Sequence, residues 1–127
     1  MSKTLKVGMV GAGFVGDIHT FAFQNFVKDA EIVAVASPNS ADKFAKERGI
    51  PHAFSDYREM LKMPDLDMIS IGIPNDLHAQ VTLDAAKAGK HVICEKPLCV
   101  TLEEADEMID ACRKAGVLLL YAEELLF

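Results

Sequence analysis

Short runs of apolar residues alternate along this chain with longer stretches in which apolar residues recur at helical spacing. The short runs are rich in β-branched residues and predict buried strands, whereas a spacing of three and four positions predicts helices. The predicted strands span 5–10, 31–36, 53–54, 67–73, 91–94 and 117–121. The predicted helices span 14–27, 40–48, 55–62, 75–88 and 101–115. The two kinds of element alternate throughout, which predicts an α/β domain.

Residues typical of helix caps mark several of the predicted helix ends. Ser40 is a candidate N-cap and Gly49 a stop for the second helix. Thr101 and Glu104 have the spacing of a capping box at the start of the last helix, and Gly116 is its stop. The apolar positions that define the first helix are Phe14, Ile18, Phe21, Ala22 and Phe26. The predicted buried face of the last helix consists of Leu102, Ala105, Met108, Ile109 and Cys112.

The strands themselves indicate the kind of sheet. Strands that alternate with helices form right-handed βαβ units and one open parallel sheet. Because the strands are apolar almost throughout, we expect helices to cover both faces of the sheet, as in a three-layer α/β/α domain. A length of 127 residues with 50% hydrophobic residues fits one domain of this kind.

Charge and composition limit the function classes. The net charge of -6 argues against nucleic acid or an anionic membrane as the main partner. No apolar run approaches the ~18 residues that span a bilayer, and the first residues have no signal-peptide pattern. The cysteines Cys94, Cys99 and Cys112 form no C-x-x-C pair, so we expect reduced thiols and a cytoplasmic location. The four histidines lack metal-ligand spacing, and no metal site is expected.

The first chemical motif is GAGFVG, a G-x-G-x-x-G between the first strand and the first helix. Gly11 permits a tight turn out of the strand, Gly13 lets a pyrophosphate approach the backbone, and Gly16 lets the helix pack closely. The start of the helix then offers free amides to the phosphates. The alternative is a glycine-rich turn without a ligand, but the position between strand and helix favours dinucleotide binding. The strand order is then 3-2-1-4-5-6, a Rossmann-type doubly wound sheet.

The residue after the second strand bears on the choice of cofactor. An NAD-specific domain usually has an acidic residue there to bind the ribose 2′-hydroxyl, whereas this chain has Ser37. The missing carboxylate leaves room for a 2′-phosphate and favours NADP slightly. Lys43 and Arg48 on the next helix are candidate cations for that phosphate. The alternative is that Ser37 and Pro38 only form a turn.

Two further loops follow strands at the same predicted edge of the sheet. Pro74 and Asn75 follow the fourth strand, and Asn75 is expected to cap the next helix, to contact the cofactor, or both. His78 lies one turn further, where a surface histidine is the simpler interpretation.

The sequence Glu95-Lys96-Pro97 follows the fifth strand. Glu95 can accept hydrogen bonds from ribose hydroxyls. Lys96 can bind a substrate oxygen or the nicotinamide amide and assist proton transfer. A surface salt bridge is the alternative interpretation of this pair.

These motifs together resemble the Gfo/Idh/MocA oxidoreductases, the glucose–fructose oxidoreductase and inositol dehydrogenase family. The resemblance is carried by VGMVGAGFVGDIHT, by the long stretch from ISIGIPNDLHAQ through GKHVICEKP to RKAGV, and by YAEELLF. It implies a Rossmann domain that binds NAD(H) or NADP(H), with Phe14 and Val15 adding backbone amides to the glycine loop. It also implies cofactor contacts from the loop of Pro74, Asn75 and His78. The lysine that the family uses to orient substrate and nicotinamide corresponds to Lys96.

Members of that family continue into a second domain that supplies most substrate contacts and usually an oligomer interface. The resemblance therefore implies that 1–121 form the NAD(P)-binding domain and that 122–127 begin a crossover to a second domain. The parent would be a homo-oligomeric oxidoreductase acting on a hydroxyl or carbonyl of a sugar, polyol or similar substrate. The alternative is a stand-alone dinucleotide-binding or sensing module without catalysis. The apolar residues Leu125, Leu126 and Phe127 would bury on the second domain, so the chain without it should self-associate.

Overall fold

The computed structural model describes residues 4–73, 75–95 and 101–122. The strands are Leu5–Val10 (β1), Ala30–Ala36 (β2), His52–Phe54 (β3), Met68–Ile71 (β4), His91–Glu95 (β5) and Leu119–Ala122 (β6). The helices are Phe14–Phe26 (α1), Ala41–Arg48 (α2), Tyr57–Met60 (α3), His78–Lys87 (α4) and Leu102–Ala115 (α5). A 3₁₀ turn at Asn75–Leu77 precedes α4. The described elements therefore follow the predicted alternation.

All six strands pair in parallel in the order β3-β2-β1-β4-β5-β6, which confirms the predicted doubly wound sheet. Helix α1 packs on β1 and β2 and helix α2 on β2 and β3, while α4 packs on β4, β5 and α5. Alternate residues of the central strands enter two different cores, as the pleat requires. Val7 and Met9 belong to the core below α1 and α2, whereas Ile69 and Ile71 belong to the core that includes Met108 of α5.

Some element boundaries differ from the predicted ones. Strand β4 ends at Ile71 rather than at 73, since the Gly72 amide makes its last bond to the Val10 carbonyl at 2.8 Å. Helix α3 is shorter than 55–62 because Asp56 caps it, accepting from the Arg58 amide at 2.9 Å. Ser40 stands at the N-cap of α2 but makes no side-chain cap bond.

Helix α5 keeps its predicted ends but not its full predicted buried face. Thr101 and Glu104 form the reciprocal capping box, and Gly116 ends the helix in the left-handed conformation with φ 72°. Met108 and Cys112 are buried, whereas Leu102 is 85% exposed and Ile109 is also exposed. Their assignment to the buried face was wrong, because helical spacing identifies an apolar stripe but not whether another layer covers all of it.

The expectation that both faces of the sheet are covered also fails in one region. Phe14 of α1 is 80% exposed and Phe21 is 59% exposed, so much of the apolar side of α1 faces outward. Leu120 of β6 is 49% exposed on the face opposite to Leu119, which packs against the core below α4 and α5. Among the described elements, none packs over this part of the sheet on the α1 side.

Two of the three cysteines lie in the described part of the chain. Cys94 and Cys112 are buried, and burial raises the pKa of the Cys112 thiol. Cys99 lies outside the described residues. In the described ranges, no group of histidine, cysteine and acidic side chains is arranged to hold a metal ion, and no helix has the length and apolar character needed to cross a membrane.

Candidate functional site

A cleft of about 540 Å³ opens at the carboxyl edge of the sheet, where the strand order reverses between β1 and β4. Ligands of open α/β sheets bind in this crevice. Its walls come from the loop after β1, the turns after β2 and β3, the end of β4 and the first part of α4. Sequence-predicted residues that line it are Gly11, Gly13 and Ser37.

The glycine loop is shaped by very close backbone contacts. Gly11 has φ 111°, and its amide donates to the Ala36 carbonyl at 2.9 Å. A Cβ at Gly11 would lie 2.5 Å from the Gly72 carbonyl oxygen, and a Cβ at Gly16 would overlap the Gly11 carbonyl. A Cβ at Gly13, in contrast, would meet no atom within 4 Å. Gly11 and Gly16 are therefore required by the fold, whereas Gly13 leaves space open to the cleft.

Helix α1 begins directly at this open space. Gly13 is its N-cap and makes no side-chain cap bond, and the first helical bond runs from the Asp17 amide to the Gly13 carbonyl at 2.9 Å. By helix geometry, the amides of Phe14, Val15 and Gly16 then have no acceptor inside the helix. Together with the positive end of the helix dipole, these amides form a site suited to an anion.

The negative charge of Asp17 near this helix start is balanced. The Arg48 guanidinium donates to Asp17 Oδ1 at 2.7 Å and also stacks over the Phe44 ring, 5.1 Å from its centroid. Arg48 does not line the cleft, and neither does Lys43. The two cations proposed from the sequence for a 2′-phosphate are therefore not placed in its wall.

Ser37 lies where a carboxylate would select NAD. Its amide donates to the Phe54 carbonyl at 3.0 Å, and its hydroxyl lies 3.3 Å from the Ser40 hydroxyl. The two hydroxyls explain why Ser40 does not cap α2, since its side chain turns back toward Ser37. Ser37 thus has both a turn role and a place in the cleft wall.

The turn after β3 adds charged residues that the sequence analysis missed. Asp56, Tyr57 and Arg58 all line the cleft. Arg58 Nη1 lies 3.7 Å from Asp56 Oδ1, Arg58 Nε lies 3.7 Å from Asp84 Oδ2, and the guanidinium stacks 5.0 Å from the Tyr57 ring centroid. The strand order was the available signal: because β3 pairs with β2, the turn after β3 must lie beside Ser37.

Tyr57 fixes this turn against α4. Its hydroxyl donates to Asp84 Oδ2. Burial, together with this hydrogen bond, raises the pKa of Tyr57 to about 12. The hydroxyl therefore stays protonated at neutral pH and acts as a donor.

The opposite wall is apolar and is supported from below by a histidine. Ile73, Leu77 and Val81 line the cleft. His78 is 1% exposed, and its Nε2 lies 2.7 Å from the Ile73 carbonyl oxygen. The surface interpretation of His78 was wrong, because the ring is buried beneath the loop. His78 supports the backbone of the wall and does not itself line the cleft.

The remaining predicted site residues are described only in part. Phe14 is exposed at the start of α1, and Val15 is half-buried, with its side chain next to Gly72. Asn75 lies in the 3₁₀ turn and Glu95 is the last residue of β5, and for both only the backbone is described. Pro74, Lys96 and Pro97 lie outside the described residues.

A preformed anion site at the start of a helix, at the switch point of a doubly wound sheet and beside an apolar cleft, defines a dinucleotide-binding Rossmann domain. The chain belongs to the family described as "Oxidoreductase family, NAD-binding Rossmann fold" (GFO_IDH_MocA), whose model matches residues 5–123. The resemblance inferred from the motifs is thereby confirmed. The chain is an NAD-binding domain of an oxidoreductase family.

Two of the related proteins are dehydrogenases of a sugar derivative and a polyol. Levoglucosan dehydrogenase of Pseudarthrobacter phenanthrenivorans is 35% identical over an alignment of 129 positions, which covers 94% of this chain and 33% of the relative. Inositol 2-dehydrogenase of Salmonella typhimurium is 35% identical over 119 residues, covering 89% of this chain and 34% of the relative.

Solved structures of related dehydrogenases superpose closely on this chain. A levoglucosan dehydrogenase structure in complex with NADH superposes with TM-score 0.85 at 36% identity and covers 93% of this chain and 34% of that one. A scyllo-inositol dehydrogenase of Lactobacillus casei with bound NAD(H) and scyllo-inositol gives TM-score 0.86 at 30% identity, covering 94% of this chain and 36% of that one. The chain thus spans about a third of the length of these relatives.

Proposed function

We propose that this chain is the cofactor-binding half of a cytoplasmic oxidoreductase that acts on a hydroxyl or carbonyl group of a sugar, a polyol or a similar small polar substrate. The proposal rests on the open space at Gly13, directly in front of the unpaired amides of α1. The names of the relatives, which are dehydrogenases of levoglucosan and inositol, support the substrate class. Residues 1–121 would form the cofactor domain, and 122–127 would begin the connection to a substrate domain.

The cleft suggests how the cofactor is oriented. The amides of Phe14, Val15 and Gly16 would bind the pyrophosphate, and the adenosine would extend between Ser37 and the apolar wall. The nicotinamide would then lie beyond the glycine loop, near the ends of β4 and β5, where Asn75 and Glu95 stand. His78 would contribute indirectly, by holding the Ile73 carbonyl.

The bound nicotinamide supplies the hydride acceptor or donor. On the resemblance stated above, Lys96 would orient the reacting oxygen of the substrate and assist transfer of its proton. We expect Lys96→Ala to lower the turnover rate of the complete enzyme by roughly a hundredfold or more. A complete enzyme that keeps its rate after this substitution would show that the lysine is not catalytic.

The pyrophosphate position can be tested in the 127-residue chain. Gly13→Val should abolish NADH binding in calorimetry, because its side chain would fill the space in front of the α1 amides. The fold should persist, since no atom lies within 4 Å of a Cβ there. Asp106→Val, at an exposed site on α5, is the matched control and should keep full affinity. Equal affinities of wild type and Gly13→Val would contradict the proposal.

We further propose weak discrimination between NAD and NADP, with a slight preference for NADP. Ser37 offers no carboxylate to repel a 2′-phosphate, and the loosely paired Arg58 guanidinium can turn toward one. Asp56 lies in the same wall, so its charge partly offsets that of Arg58.

Ser37→Asp should therefore weaken NADP binding at least roughly tenfold relative to NAD, about 1.4 kcal/mol. Ser55→Asp, at the end of the neighbouring strand, should have a smaller effect. Calorimetric titration of each variant with both cofactors measures the two ratios. A wild-type preference for NAD above roughly tenfold would contradict weak discrimination.

A stand-alone binding module is the second candidate. The observation that favours it is that the glycine loop and both walls of the cleft come from this one chain. Steady-state kinetics of the 127-residue chain test where the catalytic machinery lies. We expect binding without substantial turnover from residues 1–127, and robust dehydrogenase activity from them would show that the catalytic machinery is misassigned here.

A further inference from the structure

Asp84 of α4 holds three side chains of the cleft wall, although it does not itself line the cleft. Its Oδ2 accepts from the Tyr57 hydroxyl and lies 3.7 Å from Arg58 Nε, and its Oδ1 accepts from Gln80 Nε2 at 3.0 Å. Tyr57, Arg58 and Gln80 all line the cleft. Asp84 therefore joins the turn after β3 to α4, and its two oxygens have different partners.

The Asp84 carboxylate fixes the orientation of the Gln80 side-chain amide. A carboxylate oxygen only accepts hydrogen bonds, so the donating Nε2 of Gln80 must face Asp84. Oε1 is the other polar atom of this side chain, and no residue in the described part of the chain donates to it. Gln80 therefore offers an acceptor to a ligand in the cleft, whereas the opposite orientation of the amide would offer a donor.

The position of Gln80 indicates which part of a dinucleotide it meets. With the pyrophosphate at the α1 amides and the ribose at Ser37, the base lies at the end of the cleft that Gln80 lines. Leu77 and Val81 of α4 line the same region and suit the face of a flat base. Gln80 adds a polar group from the same helix, suited to the edge of the base. Adenine carries on its edge a 6-amino group, which is a donor.

We propose that Gln80 recognises the adenine base of the cofactor: its Oε1 accepts a hydrogen bond from the 6-amino group, and Asp84 is the positioning residue that keeps this acceptor toward the base. The inference rests on the placement of the cofactor under the proposed function. Asp56 is another acceptor in the cleft wall, but its Oδ1 already accepts from the Arg58 amide at 2.9 Å as the cap of α3.

Hypoxanthine is the base that tests this recognition. It has a carbonyl acceptor in place of the 6-amino group and a proton on the adjacent N1, which reaches Oε1 only if the base shifts. The Gln80 amide cannot rotate to offer Nε2 to that carbonyl, because Oε1 would then face the Asp84 carboxylate. A site whose polar group is left without its partner disfavours the altered ligand.

The substitution Asp84→Asn should reverse the preference. The protonated Tyr57 hydroxyl remains a donor, so the new side chain keeps its oxygen toward Tyr57 and turns its amide nitrogen toward Gln80. The Gln80 amide then rotates, placing Oε1 against this nitrogen and offering Nε2 to the base. The changed charge of the variant acts on both dinucleotides alike, so the ratio of their affinities isolates the recognition of the base.

Calorimetric titration with NADH and with reduced nicotinamide hypoxanthine dinucleotide measures this ratio in the 127-residue chain. The wild type should bind NADH roughly tenfold more tightly. Gln80→Met has neither donor nor acceptor there and should bring the ratio near one, whereas Asp84→Asn should bind the hypoxanthine form more tightly. Gln24→Met, which loses a bond to the Arg48 carbonyl on α1, is the matched control and should keep the wild-type ratio.

The double variant Gln80→Met/Asp84→Asn separates Gln80 from Arg58, which also loses its Asp84 partner and can donate to a carbonyl. Its ratio should be near one, and a preference for hypoxanthine would overturn the proposal and assign the recognition to Arg58. Equal wild-type affinities for the two dinucleotides, or an unchanged preference in Gln80→Met, would also overturn it. If circular dichroism shows that Asp84→Asn is unfolded, Gln80→Met alone decides the outcome.

Gly13→Val distinguishes failure of this inference from failure of the proposed function. If Gly13→Val abolishes binding of both dinucleotides while the wild type binds them equally, the cofactor site stands and only the recognition of adenine by Gln80 is wrong. If Gly13→Val changes neither affinity, the placement of the cofactor is wrong as well.

Discussion

Helices α1 and α5 have nearly the same length, 13 and 14 residues, but their starts and outer faces differ in opposite ways. Helix α5 begins with a reciprocal capping box, and charged side chains such as Asp110 and Lys114 cover its outside. Helix α1 begins at a bare glycine without a side-chain cap and has exposed phenylalanines on its outside.

The difference concerns how far the residues of each helix satisfy its first backbone amides and make its outer face polar. The capping box satisfies the Thr101 and Glu104 amides, and charged side chains on the outside of α5 interact with water. The first amides of α1 have no acceptor inside the helix, and its outer side exposes large apolar side chains. The start and the outer face of α1 are therefore the parts of this helix that its own residues leave unsatisfied.

The largest change in stability from a single substitution at either helix is expected at Gly16. Gly16→Ala should lower the free energy of unfolding by about 1–3 kcal/mol, because its Cβ would overlap the Gly11 carbonyl and push α1 away from β1. Gly13→Ala is the matched control: it changes the N-cap without a steric clash and should lower stability by about 1 kcal/mol or less. Urea unfolding followed by circular dichroism measures both values. Equal stability of the two variants would mean that the close contact under α1 is not required.

An intermediate effect is expected from the outer face of α1. The 127-residue chain should associate weakly at high concentration, since exposed aromatic side chains attract one another in water. The double substitution of Phe14 and Phe21 by serine should weaken this association roughly tenfold, about 1.4 kcal/mol. Leu102→Ser, which removes an isolated exposed leucine at the start of α5, should change it little. Sedimentation over a range of concentrations measures the association constants. Equal effects of the two changes would contradict association through the outer face of α1.

The smallest effect is expected from the cap of α5. Thr101→Ala should lower the free energy of unfolding by about 1 kcal/mol, because the Glu104 amide loses its acceptor. Ser40→Ala is the matched control at the N-cap of α2, where the hydroxyl makes no cap bond, and its effect should be smaller. Thermal or urea unfolding compares the two. Neither substitution touches the glycine loop, so a loss of NADH affinity by Thr101→Ala would show that the two helix starts are not independent.

The sequence was most informative where a local pattern has one structural meaning. The spacing of Gly11, Gly13 and Gly16 between a strand and a helix predicted a dinucleotide-binding loop and, through that fold, the strand order, while the alternation of elements predicted the parallel sheet. Thr101 and Glu104 predicted a cap that forms as expected. The glycine loop and the cap each depend on residues a few positions apart, so the chain itself brings the interacting groups together.

Periodicity was less informative about burial. Leu102 and Ile109 have the spacing of a buried face but are exposed, and Phe14 and Phe21 of α1 are exposed as well. In the other direction, His78 is a polar residue that is buried against the Ile73 carbonyl. A helical pattern defines the direction of a side chain relative to its neighbours, but coverage depends on elements that are distant in sequence.

The sequence by itself therefore determined the class of domain, the strand order and the glycine loop, because the glycine spacing is local and identifies a dinucleotide-binding fold, which has this strand order. Only the tertiary structure placed Arg58 in the cleft, tied Arg48 to Asp17 and left one side of α1 uncovered. The physical reason is that the pairing of β3 with β2 brings their turns together. The long arginine side chains then form ion pairs with the carboxylates that the tertiary structure places within their reach.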